Sequence, residues 1–64
     1  MGAEPQVLAA ISAWALSDYP RLQQLVAALR AISPDPRGRV KDHFAGTDGE
    51  VRRLVLGVLR DQGG

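Results

Sequence analysis

The stretch that decides the fold runs from Asp18 to Ile32 and reads DYPRLQQLVAALRAI. Apolar side chains recur in it at spacings of three and four residues, which places them on one face of an α-helix. These side chains are Leu22, Leu25, Val26, Leu29 and Ile32. Asp18 suits the N-cap of this helix, and Pro20 suits its first turn, where the missing amide would have no partner in any case. We therefore predict a helix over residues 20–32.

Three further segments show helical spacing, namely residues 5–17, 36–44 and 48–61. The segment 36–44 begins at Pro36. Asp35, which lies between Pro34 and Pro36, is its predicted N-cap. This helix is short and is weakened by Gly38, because a glycine lowers helix stability by about 1 kcal/mol relative to alanine. We expect all three segments to be helical.

The loop before the last helix contains two further signals. Gly46 suits the left-handed conformation that often follows a helix C-terminus. Thr47 and Glu50 have the spacing of a capping box, in which each side chain satisfies a backbone amide of the other residue. These signals place the start of the last helix near residue 48.

No segment alternates between apolar and polar residues over the length of a strand, so we expect an all-α fold. The expected architecture is one compact domain over residues 1–64, an antiparallel arrangement of about four short helices. A chain of 64 residues is near the lower limit for folding without disulfides or metals, so its stability has to come from a small apolar core. The predicted core consists of Ile11, Trp14, Leu22, Leu25, Val26, Leu29, Phe44, Val51, Leu54, Val55 and Val58.

The composition excludes several classes of protein. The chain has no cysteine, so it can form neither a disulfide nor a thiolate metal site. Eight basic and seven acidic side chains leave a net charge of +1, which favours no particular partner. The sequence has no run of about 18 apolar residues and no basic and apolar regions of a secretory signal. We expect a cytoplasmic protein without a membrane partner, and the seven arginines against one lysine suggest a bacterial origin.

Residues suited to catalysis are scarce. His43 is the only histidine, and Asp42 beside it points to another side of the predicted helix. Arg39, four residues before the histidine, would repel a bound cation. The serines and the threonine do not lie in a nucleophile motif such as Gly-x-Ser-x-Gly. We therefore expect no enzyme, no metal site and no cofactor.

The basic residues concentrate in one stretch in the middle of the chain. It contains Arg30, Arg37, Arg39 and Lys41 against a single acid, Asp35. Guanidinium groups at such spacing can bind phosphate in pairs. No aromatic residue interleaves the stretch to stack on bases. Nucleic-acid binding through this stretch, extended by Arg52 and Arg53, is therefore a second hypothesis and not the first.

Two leucines lie outside the apolar stripes of their helices. At about 100° per residue, Leu56 falls well away from the valines of the last helix, and Leu16 lies opposite Val7 in the first. Either a neighbouring helix covers these leucines, or they form an exposed contact for another protein or a second copy. Trp14 and Tyr19 are of the residue types favoured at interfaces, although we expect core and boundary packing for both.

These observations favour a non-catalytic protein-interaction domain of the docking or adaptor type. The expected partner is another protein with an acidic or amphipathic helical segment, or a second copy of the chain. The residues predicted to bind it are Leu16, Leu56, Arg37, Arg39, Lys41, Arg52 and Arg53. The alternatives are a small nucleic-acid-binding domain and a homo-oligomerisation element. The architecture is compatible with the helical docking domains of bacterial megasynthases and with death-fold-like adaptors, which is an analogy of fold and not of motif.

Overall fold

Four α-helices make up the computed structural model, which describes residues 3–46 and 49–63. The helices are α1 (Ala3–Trp14), α2 (Tyr19–Ile32), α3 (Pro36–His43) and α4 (Gly49–Gly63). The predicted all-α fold is confirmed, and no strand occurs in the described residues. Helix α1 packs mainly on α2, whereas α2 and α3 both pack on α4.

Helix α1 ends at Trp14, before the predicted end at residue 17. The backbone N–H groups of Ser17 and Asp18 both donate to the carbonyl oxygen of Trp14, at 3.1 and 2.9 Å. The chain therefore turns after Trp14, and this turn brings Asp18 to the N-cap of α2. Helix α4 continues to Gly63, beyond the predicted end at residue 61.

Both predicted aspartate N-caps are confirmed. Asp18 Oδ1 accepts a hydrogen bond from the backbone N–H of Arg21 at 3.1 Å. Asp35 Oδ1 accepts one from the backbone N–H of Gly38 at 3.2 Å. A proline lies in the first turn of each of these helices, where its missing amide costs no hydrogen bond. Helices α2 and α3 thus begin where the sequence signals place their starts.

Two glycines are required at their positions, Gly46 by its backbone conformation and Gly38 by a neighbouring side chain. Gly46 follows α3 with φ +79°, the left-handed conformation predicted for it. Gly38 lies beneath the carboxylate that caps α3, and a Cβ at this position would collide with Asp35 Oδ2. The missing side chain makes room for the cap, which offsets the cost of a glycine in a helix. The predicted capping box includes Thr47, which lies outside the described residues.

A cluster of buried apolar side chains joins the four helices. Its members are Leu8, Ile11, Ala15, Leu22, Val26, Leu29, Val40, Phe44, Val55, Val58 and Leu59. The predicted core residues found in it are Ile11, Leu22, Val26, Leu29, Phe44, Val55 and Val58. The end of α4 is also tied to α2, because Gln62 Nε2 donates a hydrogen bond to the carbonyl oxygen of Gln23 at 2.8 Å.

The prediction of Trp14 as a core residue is wrong, because 41% of its surface is exposed. The buried residues of this segment are Leu8, Ile11 and Ala15. At about 100° per residue, Trp14 lies about 120° from Leu8 around the helix axis, outside the buried side. The guanidinium group of Arg21 lies over the indole ring, 4.7 Å from its centroid, as a cation–π contact.

Three more residues predicted as core, Leu25, Val51 and Leu54, are half-buried and pack against the cluster from outside. Leu25 and Leu54 lie at the sides of the buried stripes of α2 and α4, and Val51 lies in the first turn of α4. The buried residues that the prediction left out are Leu8, Ala15, Val40 and Leu59. The pattern predicts the apolar face of each helix, whereas packing decides which side of that face is covered.

Replacing Ile11 and Trp14 by alanine distinguishes the observed core from the predicted one. Ile11→Ala should lower the free energy of unfolding by about 2–5 kcal/mol, because it leaves a cavity among fully buried side chains. Trp14→Ala should cost less than Ile11→Ala, because the ring is partly exposed and its removal leaves no enclosed cavity; the lost cation–π contact contributes about 0.5–1 kcal/mol. Urea unfolding followed by circular dichroism measures both. A larger loss for Trp14→Ala than for Ile11→Ala would contradict the observed packing.

Two helical glycines should respond differently to replacement by alanine. Gly57→Ala should raise the free energy of unfolding by about 1 kcal/mol, because alanine favours helix and a Cβ there meets no atom within 4 Å. Gly38→Ala should give no gain, since its Cβ displaces the Asp35 carboxylate from a cap worth about 1 kcal/mol. The same unfolding experiment measures both variants. Equal gains would show that the Asp35 cap does not need this glycine.

Candidate functional site

The face of α4 that turns away from the core lines a shallow depression. Its residues are Arg53, Leu56, Gly57 and Arg60, which recur at i, i+3, i+4 and i+7 and so form one stripe. The residues of this stripe lie about 100° to 200° around the helix axis from Val55, which is fully buried. From α3, Arg37 lines the same depression, whose volume is about 220 Å³.

The floor of this first depression is apolar. Leu56 is half-buried and packs against the core cluster, so its outer side faces the depression. Gly57 has no side chain, and a Cβ there would meet no atom within 4 Å. The depression therefore exists where a side chain is missing in the middle of a helix.

A second depression continues toward the C-terminal end of α4. Its lining residues are Arg37, Leu59, Arg60 and Gly63, and its volume is about 300 Å³. Arg37 and Arg60 line both depressions, so the two depressions adjoin at these residues. A Cβ on Gly63 would lie 4.0 Å from Nη2 of Arg30, which places this α2 side chain at the edge. We call the two depressions together the arginine groove.

The guanidinium groups of the groove have no acidic partner in the part of the chain that the structure describes. Elsewhere Arg21 pairs with Asp18, and Arg39 pairs with Glu4 and Asp42. Arg37, Arg53 and Arg60 form no ion pair with any described residue. Arg37 also lies in the first turn of α3, where the helix dipole disfavours a positive charge. These charges make the groove positive without stabilising the fold.

Three of the seven residues predicted to bind a partner line the groove, namely Arg37, Arg53 and Leu56. Arg39 is directed elsewhere, because its Nε lies 3.1 Å from Oε1 of Glu4 on α1. Lys41 and Arg52 are exposed and line neither depression. The basic stretch of the sequence is therefore divided between two surfaces of the molecule.

Leu16, the other predicted apolar anchor, lies outside the groove. It belongs to the turn between α1 and α2 and is 62% exposed. Trp14 and Tyr19 lie at the two ends of this turn and are also exposed. Arg21 and Asp18 pair with each other there, with 3.6 Å between Nε and Oδ2. The turn is thus an apolar patch that is separate from the arginine groove.

Two lining residues, Gly57 and Arg60, are not among the residues predicted to bind. They complete the stripe that Arg53 and Leu56 begin, so helical spacing starting from these two residues would have found them. A glycine has no side chain to draw attention to it, and an arginine near a helix C-terminus is explained by the helix dipole alone. The sequence alone therefore does not place Gly57 in a binding site, and it offers Arg60 only as a further basic residue beside Arg52 and Arg53.

No protein-family model, curated protein or solved structure matches the chain.

No helix within the described ranges is both long and apolar enough to cross a membrane. Across residues 3–46 and 49–63, no three His, Asp or Glu side chains converge as metal ligands would. His43 packs edge to face on Phe44, with 4.9 Å between the ring centroids. The arginine groove itself can bind carboxylates or phosphates through charge-assisted hydrogen bonds above an apolar floor.

Neutralising the groove should not harm the fold. Because Arg37 and Arg53 pair with no described acid, Arg37→Gln and Arg53→Gln should leave the free energy of unfolding unchanged or raise it by about 0.3 kcal/mol at low salt. Arg39→Gln is the matched control and should lower it by about 0.5 kcal/mol, since Glu4 loses its partner. Thermal unfolding at low and high salt measures the three variants. Similar losses in all of them would show that the groove charges support the fold.

Proposed function

We propose that the chain is a non-catalytic interaction domain that binds an acidic segment of another protein in the arginine groove. The observation behind this proposal is that Arg37, Arg53 and Arg60 surround an apolar floor and pair with no described acid. Like charges held together cost stability, so a ligand explains their position better than the fold does. The role is that of a docking or adaptor domain, and its proposed location is the cytoplasm.

The lining of the groove favours a protein partner over a small molecule. Small-molecule pockets are lined mostly by apolar side chains, whereas here only Leu56 and Leu59 are apolar and three arginines line the rest. Arginine is also enriched among the residues that contribute most to protein–protein binding. An apolar side chain of the partner fits over Leu56 and Gly57, and carboxylates beside it can accept paired hydrogen bonds from the guanidinium groups.

Nucleic-acid binding and self-association are the alternatives. The basic stretch that suggests nucleic acid is split by the Arg39–Glu4 pair, and no aromatic side chain lines the groove for base stacking. Self-association through the groove would need acids from a second copy. Among the described acids, Glu4, Asp18 and Asp42 pair within the chain, Asp35 caps α3 and Glu50 has a partner, which leaves only Asp61. An acidic segment of a different protein is therefore the better match.

The test compares two neighbouring arginines. Short peptides are selected for binding from a random display library and are then measured against Arg53→Glu and Arg52→Glu. Each variant takes the net charge from +1 to −1, since one positive charge is removed and one negative charge added, but only Arg53 lines the groove. We expect peptides rich in Asp and Glu that bind Arg53→Glu at least about tenfold more weakly and bind Arg52→Glu nearly as well as the parent.

Equal losses in both variants would contradict the proposal, because net charge and not the groove would then attract the peptides. Selection of no acidic peptide, together with steeply salt-dependent binding of a DNA duplex, would favour the nucleic-acid alternative. Sedimentation equilibrium of the chain alone tests self-association. A dimer that dissociates in Arg53→Glu would mean that the groove binds a second copy.

A further inference from the structure

We infer that the partner segment is an α-helix with alternating acidic and apolar residues along one face, and that Gly57 determines which helices fit. The inference rests on the proposed function and adds the spacing of the partner's residues. Along α4 the groove presents four features in order. They are Arg53, the floor at Leu56 and Gly57, the Arg37–Arg60 pair, and the second depression at Gly63.

The spacing of these features matches the side chains of a helix. Arg53 and Arg60 are seven residues apart on α4, which is about 10.5 Å along its axis. Gly57 and Gly63 are six residues apart, or about 9 Å. A helix laid along the groove returns to the same face every seven residues, also about 10.5 Å. Two acids and two apolar residues of such a helix can therefore reach both arginine positions and both depressions.

An extended partner fits less well. Side chains on one face of a strand recur about every 6.6 Å, because alternate residues point to opposite faces. The features of the groove alternate about every 5 Å, which is the average step between residues three and four apart on a helix. The predicted partner pattern is Glu-x-x-Leu-x-x-x-Glu-x-x-Leu for a helix parallel to α4. For a helix running the other way it is Leu-x-x-Glu-x-x-x-Leu-x-x-Glu.

Gly57 is the position where the groove leaves room for an apolar side chain of the partner. Alanine would favour the helix more than glycine does, and its Cβ would meet no atom of the chain within 4 Å. Unlike Gly38, this glycine is not required by a neighbouring side chain. A partner side chain seated between Arg53 and Arg60 explains it, because any side chain at residue 57 would occupy the first depression.

Model peptides test the inferred spacing. Two helical peptides with an alanine and glutamine background carry the two patterns given above. A control peptide keeps the composition but moves one glutamate by two positions, to another side of the helix. Fluorescence anisotropy measures the three affinities. We expect one patterned peptide to bind at least about tenfold more tightly than the control, and equal binding of all three would overturn the inferred spacing.

Gly57→Leu tests the position itself. Leucine favours helix, so this variant should keep its circular dichroism spectrum and melt at a higher temperature. It should bind the matching peptide at least about tenfold more weakly, because leucine fills the first depression. Ala27→Leu is the matched control, since it adds the same side chain at an exposed position of α2 that does not line the groove. We expect it to leave peptide binding unchanged.

The outcomes separate this inference from the proposed function. Binding that survives Gly57→Leu but is lost in Arg53→Glu would overturn the role of Gly57 and leave the acidic partner in place. Binding that survives both variants would overturn the inference and the proposed function together, because the peptides would then bind away from the groove.

Discussion

The structure depends on the burial of one side of α4. Val55, Val58 and Leu59 lie in the core cluster, and their helix packs on both α2 and α3, whereas α1 packs mainly on α2. Each such side chain contributes about 1.5–3 kcal/mol when it leaves water. This is a large share of the stability expected for a chain of 64 residues. Without the apolar side of α4, α3 would lose its main packing partner and α2 would keep only α1.

The same burial orients the candidate site. Once one side of α4 faces the core, Arg53, Gly57 and Arg60 have to face outward on the opposite side. Helix α3 is held against α4 by its own buried residues and begins at the Asp35 cap, which brings Arg37 beside the stripe. Packing therefore explains where the groove is. It does not explain why its rim is positive, and this is the observation behind the proposed acidic partner.

The sequence predicts the local features of this molecule and not those that depend on contacts between helices. Aspartate caps and helical spacing are local, so the four helices follow from them. The exposure of Trp14 depends on which side of α1 packs on α2, and Trp14 lies about 120° around the axis from Leu8, outside that side. In the same way Arg39 is separated from Arg37 because α3 lies close enough to α1 for Arg39 to reach Glu4. The role inferred for Gly57 follows only from the arginines that line the same depression.

The central claim is that a ligand contacts the outer face of α4, and an NMR titration of the labelled chain with an acidic helical peptide tests it most directly. The account predicts chemical-shift changes for the backbone amides of Gly57 and Gly63 and for the Nε–H groups of Arg53 and Arg60. The chemical shift of the Trp14 indole N–H should stay unchanged. Shifts concentrated at Trp14 and its turn, with Gly57 unchanged, would contradict it.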